Sequence, residues 1–328
     1  MQHELALASF AAATGSHVVA EPRSGRFVCF KASFDAAAEL QRLRALGFRF
    51  VGRSESGFPP LLGAIHDPPP GLFLRGAGSA ELLHRPAVAI VGARACSSYG
   101  RQVARTLGRE LAAAGLVVVS GLARGIDGEA HRGALEAGGL TVAVLGCGID
   151  RDYPTAHRPL AQEVAASGLI VSEYAPGVEP APWRFPARNR IVAGLCAATL
   201  VVEARERSGA LITADLALEE GREVFVVPGE ITSTLSTGSN ALLRLGATPC
   251  TGSADVLESY GLSLPERRAP QLEPRAAAVL ERVREAATSA DELARATGLG
   301  AGELAGILTE LELAGAVEVR EGIIRAHG

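Results

Sequence analysis

The sequence predicts an α/β protein built around a doubly wound, mostly parallel sheet, with a small winged-helix-like domain at its C-terminal end. Three observations predict this. Six short β-branched runs recur between Ala87 and Tyr260, and most are followed by a helical segment. Each run ends in a loop rich in glycine or proline. The end of the chain reads as three helices and a hairpin.

The runs are Val88–Val91, Leu116–Val119, Thr141–Leu145, Leu169–Val171, Thr199–Val202 and Glu223–Val227. Continuously apolar strands that alternate with helices indicate a parallel sheet covered on both faces. Its crossovers should be right-handed. This is a Rossmann-like arrangement. Upstream, Asp35–Leu46 has helical spacing, and the proline-rich stretches Phe58–Leu62 and Asp67–Pro70 read as a rigid, extended connector. At the far end, helices are expected over 274–287, 290–297 and 301–314, with strands at 316–319 and 323–325. Ser289 followed by Glu292 forms a capping box for the second helix. The expected domains are therefore an N-terminal segment and connector (1–80), a Rossmann-like domain (81–262), a linker (263–270) and the winged-helix-like unit (271–328).

Composition narrows the function. The chain has 328 residues, 48% hydrophobic and 5% aromatic, with a formal net charge of -4. Such a chain has no wholesale cationic field, so any anion site must be a local cluster. Lys31 is the only lysine, so arginine must carry that cluster. The five cysteines, Cys29, Cys96, Cys147, Cys196 and Cys250, are scattered and form no CxxC pair. They read as reduced, with no zinc site and no disulfide framework. No stretch reaches the ~18 apolar residues of a membrane span. The N-terminus lacks a basic signal region, so the expected location is the cytoplasm.

Ligands of open α/β sheets bind beyond the carboxyl ends of the strands, so the loops there carry the chemistry. After the first strand comes Gly92, with Arg94, and Ser97 or Ser98 as the cap of a helix start that favours anions. This is not GxGxxG, and Ser120-Gly121 stands where a dinucleotide site needs an acid. A phosphate site without a dinucleotide is the better reading, and no cofactor is expected. The second loop sets Gly121 and Gly125 around Arg124. Asp127 reads as a helix cap, and His131 as the partner in a structural hydrogen bond rather than a proton-transfer couple. Cys147 lies between two glycines and reads as a packing residue, with nothing to activate it. Residues 183–190 then gather Trp183, Arg184, Phe185, Arg188, Asn189 and Arg190. Guanidinium groups interleaved with rings suit a nucleic-acid strand. Ser208, Gly209 and Asn240 mark two further helix starts.

From Arg85 to Gly252 there are 16 arginines and 16 acidic residues. Arg94, Arg124, Arg151, Arg158, Arg184, Arg188 and Arg190 nevertheless fall in the loops after strands or in the turn beyond them. Many acids fall in helices. A parallel sheet would bring these arginines to one rim, where they would bind a phosphate chain in a salt-dependent way. Arg94→Ala and Arg188→Ala are each expected to weaken DNA binding and flatten its salt dependence.

The set of motifs resembles the DprA/Smf family. It comprises GAR-x-x-S-x-YG (Gly92 to Gly100), SGLARGID (Ser120 to Asp127), AVLGCGID-x-x-YP (Ala143 to Pro154), FPARNRIVAGL (Phe185 to Leu195), VVEA-x-x-x-SGALITA (Val201 to Ala214), GREVFVVPG (Gly221 to Gly229) and G-x-N-x-L-x-x-x-GA (Gly238 to Ala247). DPPPGLFLRG (Asp67 to Gly76) fits the same family. The resemblance implies an extended Rossmann domain that binds single-stranded DNA and is not an enzyme. It also implies protection of incoming DNA in natural transformation, loading of the RecA recombinase, and homodimerisation through the Rossmann-like domain. The family's basic loops fall here on Arg94, Arg124, Arg158 and Arg188 to Arg190. Family members usually have asparagine where His157 stands and often lysine where Arg158 stands. The first residues, to about 50, do not read as the helical N-terminal domain that some members carry. The winged-helix-like unit carries 7 arginines and 10 acids from Arg268 onward, with none of the arginines in 300–314, so DNA binding in the usual mode is not expected of it. The rival readings are a phosphoribohydrolase-like nucleotide enzyme, which lacks its PGGxGTxxE motif here, and an NAD(P) oxidoreductase.

Overall fold

The computed structural model describes residues 1–15, 24–264, 273–286, 288–314, 316–320 and 322–326. The chain divides into two compact units, Met1–Pro265 and Glu266–Gly328. The first begins with α1 (Gln2–Thr14), α2 (Gly25–Ser33) and α3 (Ala36–Ala45), then β1 (Arg49–Gly52), the short α4 (Pro60–Gly63) and β2 (Gly71–Arg75). The doubly wound part follows as β3 (Ala87–Val91), α5 (Ser98–Ala113), β4 (Val117–Ser120), α6 (Ile126–Glu136), β5 (Thr141–Val144), α7 (Arg158–Ser167) and β6 (Leu169–Ser172). It continues through α8 (Arg184–Gly194), β7 (Ala198–Val201), α9 (Gly209–Glu219), β8 (Glu223–Val226), α10 (Thr237–Arg244), β9 (Thr248–Pro249) and α11 (Ser253–Ser259).

The nine strands run in the order β1-β2-β6-β5-β4-β3-β7-β8-β9. All pairings from β6 to β9 are parallel. The order reverses between β3 and β7, whose residues Val91 and Val201 lie opposite each other. Alternate residues of the central strands feed the two faces. Ala89 and Val91 pack with Val192 of α8 and Ala214 of α9, while Val88 and Ile90 pack with Leu107 of α5 and Ala130 of α6. Burial on both faces explains the unbroken apolar runs. Helices α5 and α6 approach backbone to backbone, because a Cβ on Gly108 or Gly133 would overlap the carbonyl of Ala130 or Arg105.

Residues before 80 are part of this unit rather than a connector beside it. Strand β2 pairs antiparallel with β6, Phe73 opposite Ser172, and β1 pairs antiparallel with β2. Phe58, Leu62 and Leu72 join one core and Leu5, Leu43 and Phe73 another. The prolines only punctuate that path: the five residues of Gly71–Arg75 that follow them form a strand. Helix α3 forms over the stretch whose spacing predicts it, capped by the Asp35 carboxylate, which accepts the Ala37 and Ala38 amides at 3.0 Å each. The residues before it are also helical, contrary to expectation; the apolar positions of α1, Leu5, Ala8 and Ala11 among them, are mostly alanines.

In the second unit, α12 (Pro274–Glu285), β10 (Thr288–Ser289), α13 (Ala290–Thr297), α14 (Ala301–Leu313), β11 (Val317–Arg320) and β12 (Ile323–Ala326) enclose their own core of Val279, Leu293, Leu304 and Ile324. The capping box is present, Ser289 Oγ accepting the Glu292 amide at 3.3 Å and the Glu292 carboxylate accepting the Ser289 amide at 3.2 Å. Most of the expected linker, 265–270, lies outside the described residues.

Candidate nucleic-acid interface

A cavity of about 340 Å³ opens at the carboxyl ends of the strands, where β3 and β7 meet. This is the point at which open α/β sheets hold their ligands. Its walls come from the loop after β3 (Gly92, Arg94), the loop after β4 (Gly121, Ala123), Asp127 of α6, Phe185, Arg188 and Asn189 of α8, and Arg205, Arg207, Ser208 and Gly209 after β7.

The arginines here are of two kinds. Arg94, Arg124, Arg205 and Arg207 are exposed, and none forms an ion pair among the described residues. The Arg94 guanidinium carbon sits 5.3 Å from the Phe185 ring centroid. The half-exposed Tyr153 ring stacks on Phe185, 5.3 Å between centroids at 22°. A cation and two rings thus form a small column that can accept a flat base.

The arginines of α8 are structural. Arg188 is only 4% exposed and donates to the carbonyls of Gly121, at 2.8 Å, and Val144. A Cβ on Gly121 would lie 2.5 Å from that guanidinium, so glycine there admits Arg188 rather than a ligand. Asp127 is buried beside it, and desolvation raises its pKa against the pull of Arg188 and Arg94. Arg190 forms a buried pair with Glu173 at 2.7 Å and reaches Asp67 at 2.9 Å, tying α8 to the end of β6 and to the proline-rich stretch. It is therefore not available to a phosphate, a correction to its expected role. Arg184 is buried, its guanidinium 4.7 Å from the Trp183 ring and 5.3 Å from that of Tyr174. Arg151 pairs with Glu179 at 2.6 Å. Arg158 remains exposed, 3.6 Å from Asp152, which also binds Arg75 at 2.5 Å.

The small residues also take particular places. Gly92 packs against α6, since a Cβ would meet Ile126 at 2.5 Å. Gly125 turns the chain at φ +78° against Ala93 and Arg94. Asn189 donates to the Gly209 carbonyl at 3.1 Å, and Ser208 caps α9 by accepting the Ala210 amide at 3.3 Å. Asn240 does not line the cavity: it clamps Gly229, accepting from its amide at 3.2 Å and donating to its carbonyl at 3.1 Å. The Ser97 amide donates to the Glu203 carboxylate at 2.9 Å, and its hydroxyl donates to the same group. The helix start expected to hold an anion is thus taken by a side chain. Ser98 is exposed beside it.

His131 pairs with Thr141 rather than Asp127. Thr141 Oγ1 donates to the Val118 carbonyl at 2.7 Å, so it must accept from His131 Nδ1–H, also 2.7 Å. Burial drives the His131 pKa down to about 3. His157 Nδ1 donates to the carbonyl of Leu122 at 3.0 Å; Leu122 holds φ +58°. Burial pushes the Cys147 thiol up to about 11, which suits a packing residue.

Arg205, Arg207 and Glu203 were absent from the expected site. They follow the fifth run, where the rule that loops after parallel strands bind ligands pointed to them. The column of Arg94, Phe185 and Tyr153 joins two loops and the first turn of α8, and no spacing in sequence signals it.

Comparison with known families adds a second line. The model described as DNA recombination-mediator protein A matches residues 49–261, and that of the DprA winged helix domain matches residues 263–322. The chain is 46% identical over 207 residues to DNA processing protein DprA of Streptococcus pneumoniae, covering 62% of this chain and 71% of that one. It is 40% identical over 270 residues to protein Smf of Escherichia coli, 79% and 72% of the two chains. The X-ray structure of the Streptococcus pneumoniae protein superposes with a TM-score of 0.67 at 38% identity, over 78% of this chain and 92% of that one. A Helicobacter pylori DNA processing protein A, whose structure describes a single-stranded DNA binding mode, superposes with a TM-score of 0.59 at 34% identity, over 65% and 95%.

Proposed function

The chain belongs to the DprA/Smf family of DNA-processing proteins, and on that premise we propose that it grips single-stranded DNA across the mouth of its parallel sheet. One observation carries the reading: three exposed guanidinium groups, those of Arg94, Arg205 and Arg207, none ion-paired among the described residues, lie in the loops after β3 and β7 around one cavity. Arg94, Arg205 and Arg207 hold phosphates, with Arg124 and Arg158 extending the track. Arg188 supports the floor from within. The Phe185–Tyr153 column takes a base without reading its identity, since every base offers a π-face. A duplex cannot present unstacked bases to that column, so single strands are preferred.

In this reading the protein is a cytoplasmic binding protein rather than an enzyme. It shields incoming DNA during natural transformation, loads RecA onto it, and works as a homodimer through the Rossmann-like domain. Gel-shift titration with single- and double-stranded oligonucleotides, run beside a nucleotide-hydrolysis assay, tests the core of the proposal. The expected result is tight binding of the single strand and no turnover. Equal affinity for both strand forms, or nucleotide cleavage, would overturn it. RecA nucleation on strands coated by a single-strand-binding protein, with and without this chain, tests the loading step. Sedimentation equilibrium tests the dimer.

A further inference from the structure

The first strand–helix turn of a doubly wound sheet is where dinucleotides seat their phosphates, because the helix N-terminus offers free N–H groups and a positive dipole end. Here that turn joins β3 to the 16-residue α5. Glu203, at the end of β7 and only 4% exposed, places its carboxylate in that seat. Oε2 accepts the Ser97 amide at 2.9 Å and Oε1 accepts the Ser97 hydroxyl, while Ser97 Oγ accepts the Gly100 amide at 2.9 Å. The local sequence is fitted to the carboxylate: a Cβ on Gly100 would overlap Glu203 Oε2 and lie 2.5 Å from its Cδ. The backbone adds a further tie, the Ala93 amide donating to the Glu203 carbonyl at 2.7 Å.

We propose that Glu203 is the specificity-determining residue of this rim, an internal anion that fills the phosphate seat of the β3–α5 turn. It closes the seat to free phosphates and nucleotides. It also clasps the loop bearing Arg94 to the loop bearing Arg205 and Arg207. The guanidinium groups are thus left to an external polyphosphate strand, and no mononucleotide competes for the helix terminus. The second part rests on the proposed DNA function; the first does not.

Inorganic phosphate is the probe for the first part, titrated calorimetrically against the full chain at constant ionic strength. Glu203→Ala should bind phosphate about tenfold more tightly than the wild type, the scale of one charge-assisted hydrogen bond. Equal affinity in the two proteins would overturn the proposal. If Glu203→Ala unfolds in chloride, its refolding by phosphate becomes the measurement, since a ligand that binds only the native state pulls the equilibrium toward it. Refolding by phosphate but not by chloride supports the filled seat, and no difference overturns it. Glu203→Gln probes the clasp. Its single-strand affinity should fall while the slope of log K against log salt stays at the wild-type value, because no cationic contact is removed. Unchanged affinity would sink the clasp. A wild type that binds no single strand would instead fault the DNA reading and leave the phosphate result standing.

Discussion

Helix α8 and the loops after β3 and β7 both bring arginine to the same cavity, yet the two regions use it differently. In α8, Arg184, Arg188 and Arg190 are buried and met by carbonyls, rings or carboxylates. In the loops, Arg94, Arg205 and Arg207 face water without an acidic partner among the described residues. The contrast shows that an arginine cluster in sequence holds two populations. A side chain on a helix packed over the sheet has internal acceptors within reach. On the loops beyond the strand ends, Arg151 still finds Glu179, but Arg94, Arg205 and Arg207 meet no such acid among the described residues.

Substitution can break this contrast, and Arg190 is the most demanding test. Arg190→Ala leaves the fully buried Glu173 without its cation, so unfolding free energy should drop by about 3–5 kcal/mol in denaturant titration. A stable Arg190→Ala protein that lost only DNA binding would move this residue to the rim. Histidine sharpens the same division by pH. The folded-state pKa of His131 lies near 3, below its ordinary 6.5, so the unfolded chain takes up the proton first as the solution is acidified. The contribution is whole above pH 6.5 and is lost as pH falls toward 3, at up to about 1.4 kcal/mol per pH unit. Denaturation midpoints across that window should show this slope, and His131→Asn should remove one proton's share of it.

Arg188→Ala should cost about 1–3 kcal/mol, by leaving the carbonyls of Gly121 and Val144 without their donor. An unaltered melting curve would contradict the buried role. Arg94→Ala, Arg205→Ala and Arg207→Ala should each change stability by no more than about 0.5 kcal/mol. Each should also lower the salt slope of single-strand binding by about 1. A loop variant that kept both slope and affinity would be struck from the interface. The smallest effect is expected from the second unit. Exposed Glu303, Glu310 and Glu312 line α14, and that helix has no basic residue, so a chain ending before α12 should bind single strands as the full chain does. A marked loss would show that this unit touches DNA despite its charge.

Much of this was legible in the residues. Six of the seven parallel strands, β3 to β8, the three C-terminal helices and the capping box follow from unbroken apolar runs, periodicity and one Ser–Glu spacing, all local properties. What escaped was non-local. Strands β1 and β2 owe their place to β6, about a hundred residues downstream, and no strand–helix alternation surrounds them to mark them as strands. Gly92, Gly121 and Gly125 looked like a ligand cradle, but they serve Ile126, Arg188 and the turn over Ala93. Glycine reveals where backbone or side chain comes close, without naming the neighbour. Arg190 could not be separated from Arg94 because its partners, Asp67 and Glu173, come from distant segments.

The pairing of β2 with β6 has a further consequence. Strand β6 would otherwise end the parallel array with a row of unused amides and carbonyls, a template on which other chains can add strands. Cleavage that released the first eighty or so residues would bare that template along Ile170–Ser172 and uncover Leu169 and Val171. Such a fragment should aggregate rather than persist as a smaller monomer. The N-terminal stretch is in that sense a built-in chaperone for the sheet it completes.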